Sequence, residues 1–214
     1  MKLHLPNLLT LSRLPMAVVI FALLGAYDAG SSADAWLLDA ALVVFIVAGL
    51  TDVLDGYLAR RFGVASDFGR ISDPFIDKVL ICGAFAYFAG VDFTVRDAAG
   101  DIVSLTGVAV WMAVLIFARE LLVTGVRGFS ESQGKAFATT AFGKAKMALQ
   151  SLTIIWVLLT ATRADGWGSW ARVVRDVLVW ATVIYTALSA LVYARRIQRL
   201  LTPRPEPQPT KTQP

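Results

Sequence analysis

The chain has 214 residues, of which 57% are hydrophobic, and its formal net charge is +4. Soluble globular domains are only about 45–50% apolar, so this composition excludes an ordinary water-soluble domain and indicates a chain that folds in lipid. A single cysteine excludes an internal disulfide.

Six apolar stretches follow one another along the chain, and most are long enough to cross the hydrocarbon core as helices. Helices are expected because backbone polar groups in lipid must be hydrogen-bonded within their own segment. No small-residue cleavage site follows the first stretch, so we expect it to be retained rather than removed as a signal peptide. The six predicted spans are residues 5–27, 35–54, 75–91, 106–122, 142–162 and 173–192.

The distribution of basic residues predicts the orientation. If the spans alternate from a cytoplasmic N-terminus, all but four of the 20 Lys and Arg residues face the cytoplasm, as the positive-inside rule requires. Both termini are therefore expected in the cytoplasm, and the net positive charge faces anionic lipid headgroups rather than a nucleic acid. Residues 203–214 are polar and proline-rich, so we expect a disordered cytoplasmic tail after a membrane catalytic domain of residues 1–202.

Four aspartates near the cytoplasmic edge of the second and third spans form the main candidate site. Asp52 and Asp55 are three residues apart, and Asp73 and Asp77 are four apart, so each pair shares one helix face. The connection between the pairs suits an antiparallel helix hairpin, which would bring the two faces together. Asp73 alone also fits an ordinary helix N-cap before Pro74, but four carboxylates at helical spacing in a membrane protein favour a functional site.

Carboxylates that share a pocket need cations, because like charges oppose each other's ionisation. Oxygen ligands favour Mg²⁺, Mn²⁺ or Ca²⁺ over zinc, and two such ions can clamp a displacement at phosphorus. Gly56 and Gly69 have no side chain and Ala59 is small, so a nucleotide or a second helix can approach here closely. Arg60 can bind a phosphate through two nitrogens.

The residues around these aspartates carry a family resemblance. The run D-V-L-D-G-Y-L-A-R, eight further residues and G-R-I-S-D-P-F-I-D match the pattern D-x2-D-G-x2-A-R-x8-G-x3-D-x3-D at every fixed position. The chain therefore resembles the CDP-alcohol phosphatidyltransferases. The resemblance implies the all-α fold of that family: a polytopic enzyme with six transmembrane helices, a homodimer of the inner (cytoplasmic) membrane, with its site open to the cytoplasm.

The resemblance also implies roles for individual residues. Two divalent ions, Mg²⁺ or Mn²⁺, would sit on the pyrophosphate of a CDP-linked substrate, and Asp77 would also be the catalytic base. The implied metal ligands are Asp52, Asp55, Asp73 and Asp77. The implied CDP-binding residues are Gly56, Ala59, Arg60, Ser66 and Gly69.

Basic residues in the second half of the chain bear on the acceptor alcohol. Arg119 and Arg127 are about two helical turns apart, and Lys144 and Lys146 lie at the start of the fifth span. Such a cation cluster near the acidic site predicts an acceptor with a phosphate, although each cation alone fits an ordinary cytoplasmic anchor. Glu120 is either a partner that fixes Arg119 or a rim charge.

Three flanking stretches, PNLLTLSRL, ARELLVTGVR and GKAKMALQ, resemble the members of the family that join CDP-diacylglycerol to glycerol 3-phosphate. These two substrates are therefore the implied partners, together with membrane lipids. The resemblance also places Asn7, Thr10 and Arg13 at the cytoplasmic end of the first helix, near the substrate.

Two alternatives stay open. Another acceptor, such as serine, inositol phosphate or phosphatidylglycerol, would use the same motif, although serine has less use for a phosphate-binding cluster. An ion or metal transporter would also carry intramembrane carboxylates. Transport predicts acidic residues near the bilayer midplane and an inverted repeat, whereas here the carboxylates gather at one edge and the sequence shows no repeat.

Overall fold

The computed structural model describes residues 5–62, 67–96, 99–132 and 141–201. Almost all of them are helical. The five helices are α1 Leu5–Ala26, α2 Ala35–Phe62, α3 Asp67–Phe88, α4 Val110–Ser132 and α5 Ala141–Leu201. Helical geometry breaks inside α5 at Arg163 and at Gly168, where φ is 71°, a value that glycine adopts without strain. α5 is therefore two helices, which gives six α-helices among the described residues and confirms the predicted all-α architecture.

The helices extend past the apolar spans at the end of the bundle that carries the aspartates. α2 continues beyond the predicted span boundary at residue 54 to Phe62, and α3 begins at Asp67 rather than at residue 75. A helix can continue in polar sequence once it has left the hydrocarbon. Asp73 and Pro74 consequently lie inside α3, so the interpretation of Asp73 as an N-cap is wrong, because the helix begins earlier.

The connection between α3 and α4 contains the two strands of the described residues. β1 Thr94–Arg96 pairs antiparallel with β2 Ile102–Ser104, with Val95 opposite Val103. The hydroxyl of Thr106 donates to the carbonyl of Phe88 at 2.6 Å, which ties this hairpin to the end of α3.

α1 lies at the centre of the first half of the fold, since it packs against both α2 and α3. Glycine permits part of this contact: a Cβ at Gly83 of α3 would lie 2.2 Å from the ring of Phe21 in α1. α5 packs against α2 and α4. The shared core includes Leu24, Leu38, Phe85, Ile116 and Ile154, all 1% exposed or less.

The outer surface of the bundle is apolar. Large hydrophobic side chains on every helix are exposed, among them Val18, Val43, Phe75, Val114 and Val177. An apolar surface of this extent suits lipid rather than water. Within the described residues, three helical segments are long and apolar enough to cross a membrane: Ala35–Leu54, Ala145–Arg163 and Trp167–Tyr193. A shorter apolar segment, Ser12–Ala26, lies in α1. The protein is a multi-pass membrane protein. The predicted tail, residues 203–214, lies outside the described residues.

Candidate active site

Three helices bring one arginine and two aspartates into contact. Arg13 of α1 donates from Nη1 to Oδ1 of Asp52 in α2 at 2.6 Å, and from the same nitrogen to Oδ1 of Asp77 in α3 at 2.8 Å. Hydrogen bonds between two charged groups are among the stronger ones in proteins. The arginine side chain is 2% exposed, whereas the side chains of Asp52 and Asp77 are 42% and 22% exposed. The carboxylates therefore lie between a buried guanidinium and the open side of the site.

The sequence predicted that the aspartate pairs of α2 and α3 would meet, and the structure brings together one member of each pair. Asp55 is one turn from Asp52 on α2, and Asp73 is one turn from Asp77 on α3. The side chains of Asp55 and Asp73 are not among those described. Among the side chains that are described, no group of three or more His, Cys, Asp or Glu residues converges.

The described part of this site has the chemistry that a hard divalent cation needs. Its potential ligands are carboxylate oxygens from two helices, held close to one another by Arg13 and partly open. The proposed CDP-binding residues are described less fully. Gly56 lies on α2, partly exposed beyond Asp52. Ala59, Arg60 and Gly69 lie on α2 and α3 where only the backbone is described, and Ser66 lies outside the described residues.

A second charged cluster joins α4 to both halves of α5. Arg119 Nη1 donates to Oε1 of Glu120 at 3.1 Å, and Nζ of Lys146 donates to the same oxygen. Arg119 Nε donates to the hydroxyl of Ser189 at 2.8 Å, and its guanidinium lies 5.4 Å from the ring centroid of Tyr193. Arg119, Glu120 and Lys146 are each 5% exposed. Glu120 is therefore a buried partner of two cations, and the alternative of a rim charge is wrong.

The four predicted acceptor cations differ in their surroundings. Arg119 and Lys146 already share Glu120. Arg127 is partly buried, and its Nε is buried with no hydrogen-bond partner among the described residues. The side chain of Lys144 is not among those described. Of these four cations, Arg127 is the one whose side chain has a buried donor with no partner among the described residues.

Sequence reasoning missed one residue of this region and left another without a role. Lys78 follows Asp77 on α3, and its charge interacts with those of Arg119 and Arg127 and of Lys146, so we assign it to the cation cluster. Arg13 was placed near the substrate without a role. The available signal was a charged residue within an apolar helix, since such residues in membrane spans have functional partners.

Residues 3–188 match the family model of the CDP-alcohol phosphatidyltransferases. The chain belongs to this family. Relatives from bacteria and a plant carry the name CDP-diacylglycerol–glycerol-3-phosphate 3-phosphatidyltransferase, and three of them illustrate the similarity. The protein from Bacillus subtilis is 27% identical over 196 residues, which is 89% of this chain and 93% of the relative. The protein from Salmonella choleraesuis is 28% identical over 201 residues, covering 90% and 94%. A chloroplastic/mitochondrial protein of Arabidopsis thaliana is 30% identical over 211 residues, covering 93% and 64%.

The family match covers the charged residues of both clusters of this CDP-alcohol phosphatidyltransferase. It begins before Arg13 and ends within the second half of α5, next to Ser189. The aspartate site and the Glu120 cluster therefore both lie on elements shared with the family.

Proposed function

We propose that this CDP-alcohol phosphatidyltransferase transfers the phosphatidyl group of CDP-diacylglycerol to glycerol 3-phosphate, with release of CMP. The observation that carries the proposal is that α3 contributes neighbouring residues to two charged groups. Asp52 and Asp77 form a carboxylate pair, and Lys78, the next residue after Asp77, lies in range of the cations Arg119 and Arg127. The carboxylates suit a cation-bound pyrophosphate, and the cations suit the phosphate of an acceptor. Relatives bearing the name of this reaction support the assignment.

The carboxylates of α2 and α3 are proposed to hold two divalent cations, Mg²⁺ or Mn²⁺. When bound, these ions neutralise the pyrophosphate and stabilise the leaving phosphate. The proposed ligands are Asp52, Asp55, Asp73 and Asp77, and the proposed CDP contacts are Gly56, Ala59, Arg60, Ser66 and Gly69.

Asp77 is proposed to be the catalytic base. It accepts the proton of the acceptor hydroxyl, whose oxygen forms a bond to the phosphorus next to diacylglycerol. The bond from that phosphorus to the bridging oxygen of the pyrophosphate breaks, and CMP leaves with the electron pair. Asp77 accepts a hydrogen bond from the guanidinium of Arg13, and a positive neighbour favours the ionised carboxylate, which is the form that a base needs.

The acceptor phosphate is proposed to bind on the cation cluster. Arg127 supports this best, because its buried Nε lacks a partner among the described residues. Lys144 is proposed to contact the same phosphate. Arg119 and Lys146 form ion pairs with Glu120 and contribute positive electrostatic potential near this phosphate.

Steady-state kinetics of Arg127→Met test this proposal. A hydrogen bond to a charged group is worth about 1.5–3 kcal/mol, so KM for glycerol 3-phosphate should rise by roughly tenfold to a hundredfold, while KM for CDP-diacylglycerol stays near the wild-type value. Arg172→Met is the matched control, because Arg172 is an exposed arginine of α5 on the side predicted to face outward. An equal rise in KM for both substrates, or no rise in either KM, would contradict a phosphate site at Arg127.

We also propose that the protein acts as a homodimer in the inner membrane, with both termini in the cytoplasm. The basic residues support this orientation, since those of the aspartate site and the cation cluster lie toward the predicted cytoplasmic ends of α1 to α5. Residues 203–214 are proposed to be a cytoplasmic tail.

A further inference from the structure

Arg13 lies on an apolar helix, where a charged side chain is costly unless it has partners. One of its three side-chain nitrogens, Nη1, donates to carboxylates on two other helices. The distances are 2.6 Å to Asp52 and 2.8 Å to Asp77. The two acceptor oxygens can therefore be no further apart than the sum of these distances. Because α1 packs against both α2 and α3, this contact fixes one carboxylate relative to the other.

The exposures show on which side of the carboxylates the arginine lies. Arg13 is 2% exposed, while the side chains of Asp52 and Asp77 are 42% and 22% exposed. A ligand that arrives from the open side meets the aspartates before it meets the guanidinium. Arg13 must therefore act through the carboxylates rather than by touching the ligand.

We propose that Arg13 is a positioning residue, which holds Asp52 and Asp77 in the arrangement that binds a divalent cation. The inference rests on the proposed function, because that proposal assigns these carboxylates to divalent ions. Two effects of Arg13 oppose each other. Its charge repels a cation bound nearby, whereas its hydrogen bonds orient the ligand oxygens, as the outer partners of metal ligands do in other proteins. The inference is that orientation outweighs repulsion.

Mn²⁺ binding to the purified full-length protein in detergent tests this balance, with neither nucleotide nor acceptor present. The free ion is measured by its electron paramagnetic resonance signal. Arg13→Met removes the charge and the donors at similar side-chain length. Arg13→Lys keeps the charge and one nitrogen that carries several N–H donors. The hydrogen bonds from Arg13 to Asp52 and Asp77 likewise come from one nitrogen. Arg163→Met is the control, because it breaks a different arginine–aspartate pair, with Asp39 at 3.0 Å, near the opposite end of α2.

Arg13→Met should bind Mn²⁺ about tenfold to a hundredfold more weakly than the wild type, the range found for outer partners of metal ligands. Arg13→Lys should recover most of this loss, and Arg163→Met should match the wild type. In assays of CMP release, the Mg²⁺ concentration for half-maximal rate should rise in Arg13→Met, while KM for CDP-diacylglycerol at saturating Mg²⁺ stays near the wild-type value.

Mn²⁺ affinity in Arg13→Met that equals or exceeds the wild-type affinity would overturn the inference, because repulsion would then dominate. A loss in Arg13→Lys as large as in Arg13→Met would also overturn it. If Arg13→Met does not fold, Arg13→Leu also removes both the charge and the donors, and wild-type or tighter binding by that variant would have the same meaning.

The experiment separates this inference from the proposed function. Wild-type protein whose Mn²⁺ affinity depends on Arg13, but which transfers nothing to glycerol 3-phosphate, would contradict the proposed function alone. Transfer to glycerol 3-phosphate, with Mn²⁺ affinity unchanged in Arg13→Met, would contradict the positioning role alone.

Discussion

Replacement of Glu120 by glutamine perturbs the buried charge cluster between α4 and α5. One carboxylate oxygen of Glu120 accepts from both Arg119 and Lys146, and the three side chains are at most 7% exposed. Glutamine keeps the size and a carbonyl acceptor but removes the negative charge. Glu120→Gln therefore leaves two buried cations without the carboxylate that they share.

Removal of one partner from a buried ion pair costs about 3–5 kcal/mol, because the other charge stays buried without compensation. We expect a loss of this size for Glu120→Gln, since Arg119 and Lys146 are both affected. The matched control is Asp39→Asn. Asp39 pairs with Arg163 at 3.0 Å, but the two side chains are 44% and 38% exposed, and exposed pairs contribute only about 0–1 kcal/mol.

Unfolding in mixed micelles of dodecyl maltoside and increasing sodium dodecyl sulfate measures both effects, with helix content followed by circular dichroism. The free energy of unfolding should fall by at least about 2 kcal/mol more in Glu120→Gln than in Asp39→Asn, which is the gap between the buried and exposed ranges. Equal free energies of unfolding in the two variants would refute the reasoning, since Glu120 would then not compensate buried charge.

Asp55→Asn should abolish CMP release without loss of helix content, and EDTA should do the same to the wild type; full activity in EDTA would rule out the two-metal proposal. Asp77→Asn keeps a ligand oxygen but cannot accept a proton, so turnover should fall by about 10²–10⁴-fold, far more than CDP-diacylglycerol binding, and near-normal turnover would mean that another group is the base. Gly83→Ala should lower the free energy of unfolding by about 1–3 kcal/mol, because its Cβ would lie 2.2 Å from Phe21. Gly49→Ala, where a Cβ meets nothing within 4 Å, should cause no loss, and the same loss in both would contradict the close packing of α1 on α3.

Hydropathy was sufficient to predict the helices, because lipid leaves few alternatives for an apolar segment. The interval between the fifth and sixth predicted spans, residues 163–172, contains the break that the structure places at Arg163 and Gly168. Hydropathy did not predict the helix boundaries that lie in polar sequence. α3 begins at Asp67, in a polar stretch that still forms a helix.

The spacing of aspartates predicted that the acidic faces of α2 and α3 would meet, and Asp52 and Asp77 contact the same arginine. The arginine itself could not be assigned from spacing. Its role arises because α1 packs against both other helices, which is a property of the tertiary arrangement. The link between Glu120 and Lys146 has the same origin, since it joins two helices that the sequence shows only as separate apolar segments.

The central claim is the transfer of a phosphatidyl group to glycerol 3-phosphate, and an acceptor panel tests it most directly. Purified protein in detergent is given CDP-diacylglycerol and Mg²⁺ with glycerol 3-phosphate, serine, inositol 1-phosphate or phosphatidylglycerol, and CMP release is followed. We expect CMP release with glycerol 3-phosphate to exceed that with each other acceptor. The excess over serine, which has no phosphate, should be at least about tenfold, since a single hydrogen bond to a charged group is worth that much. Equal or faster release with serine, inositol 1-phosphate or phosphatidylglycerol would contradict the claim.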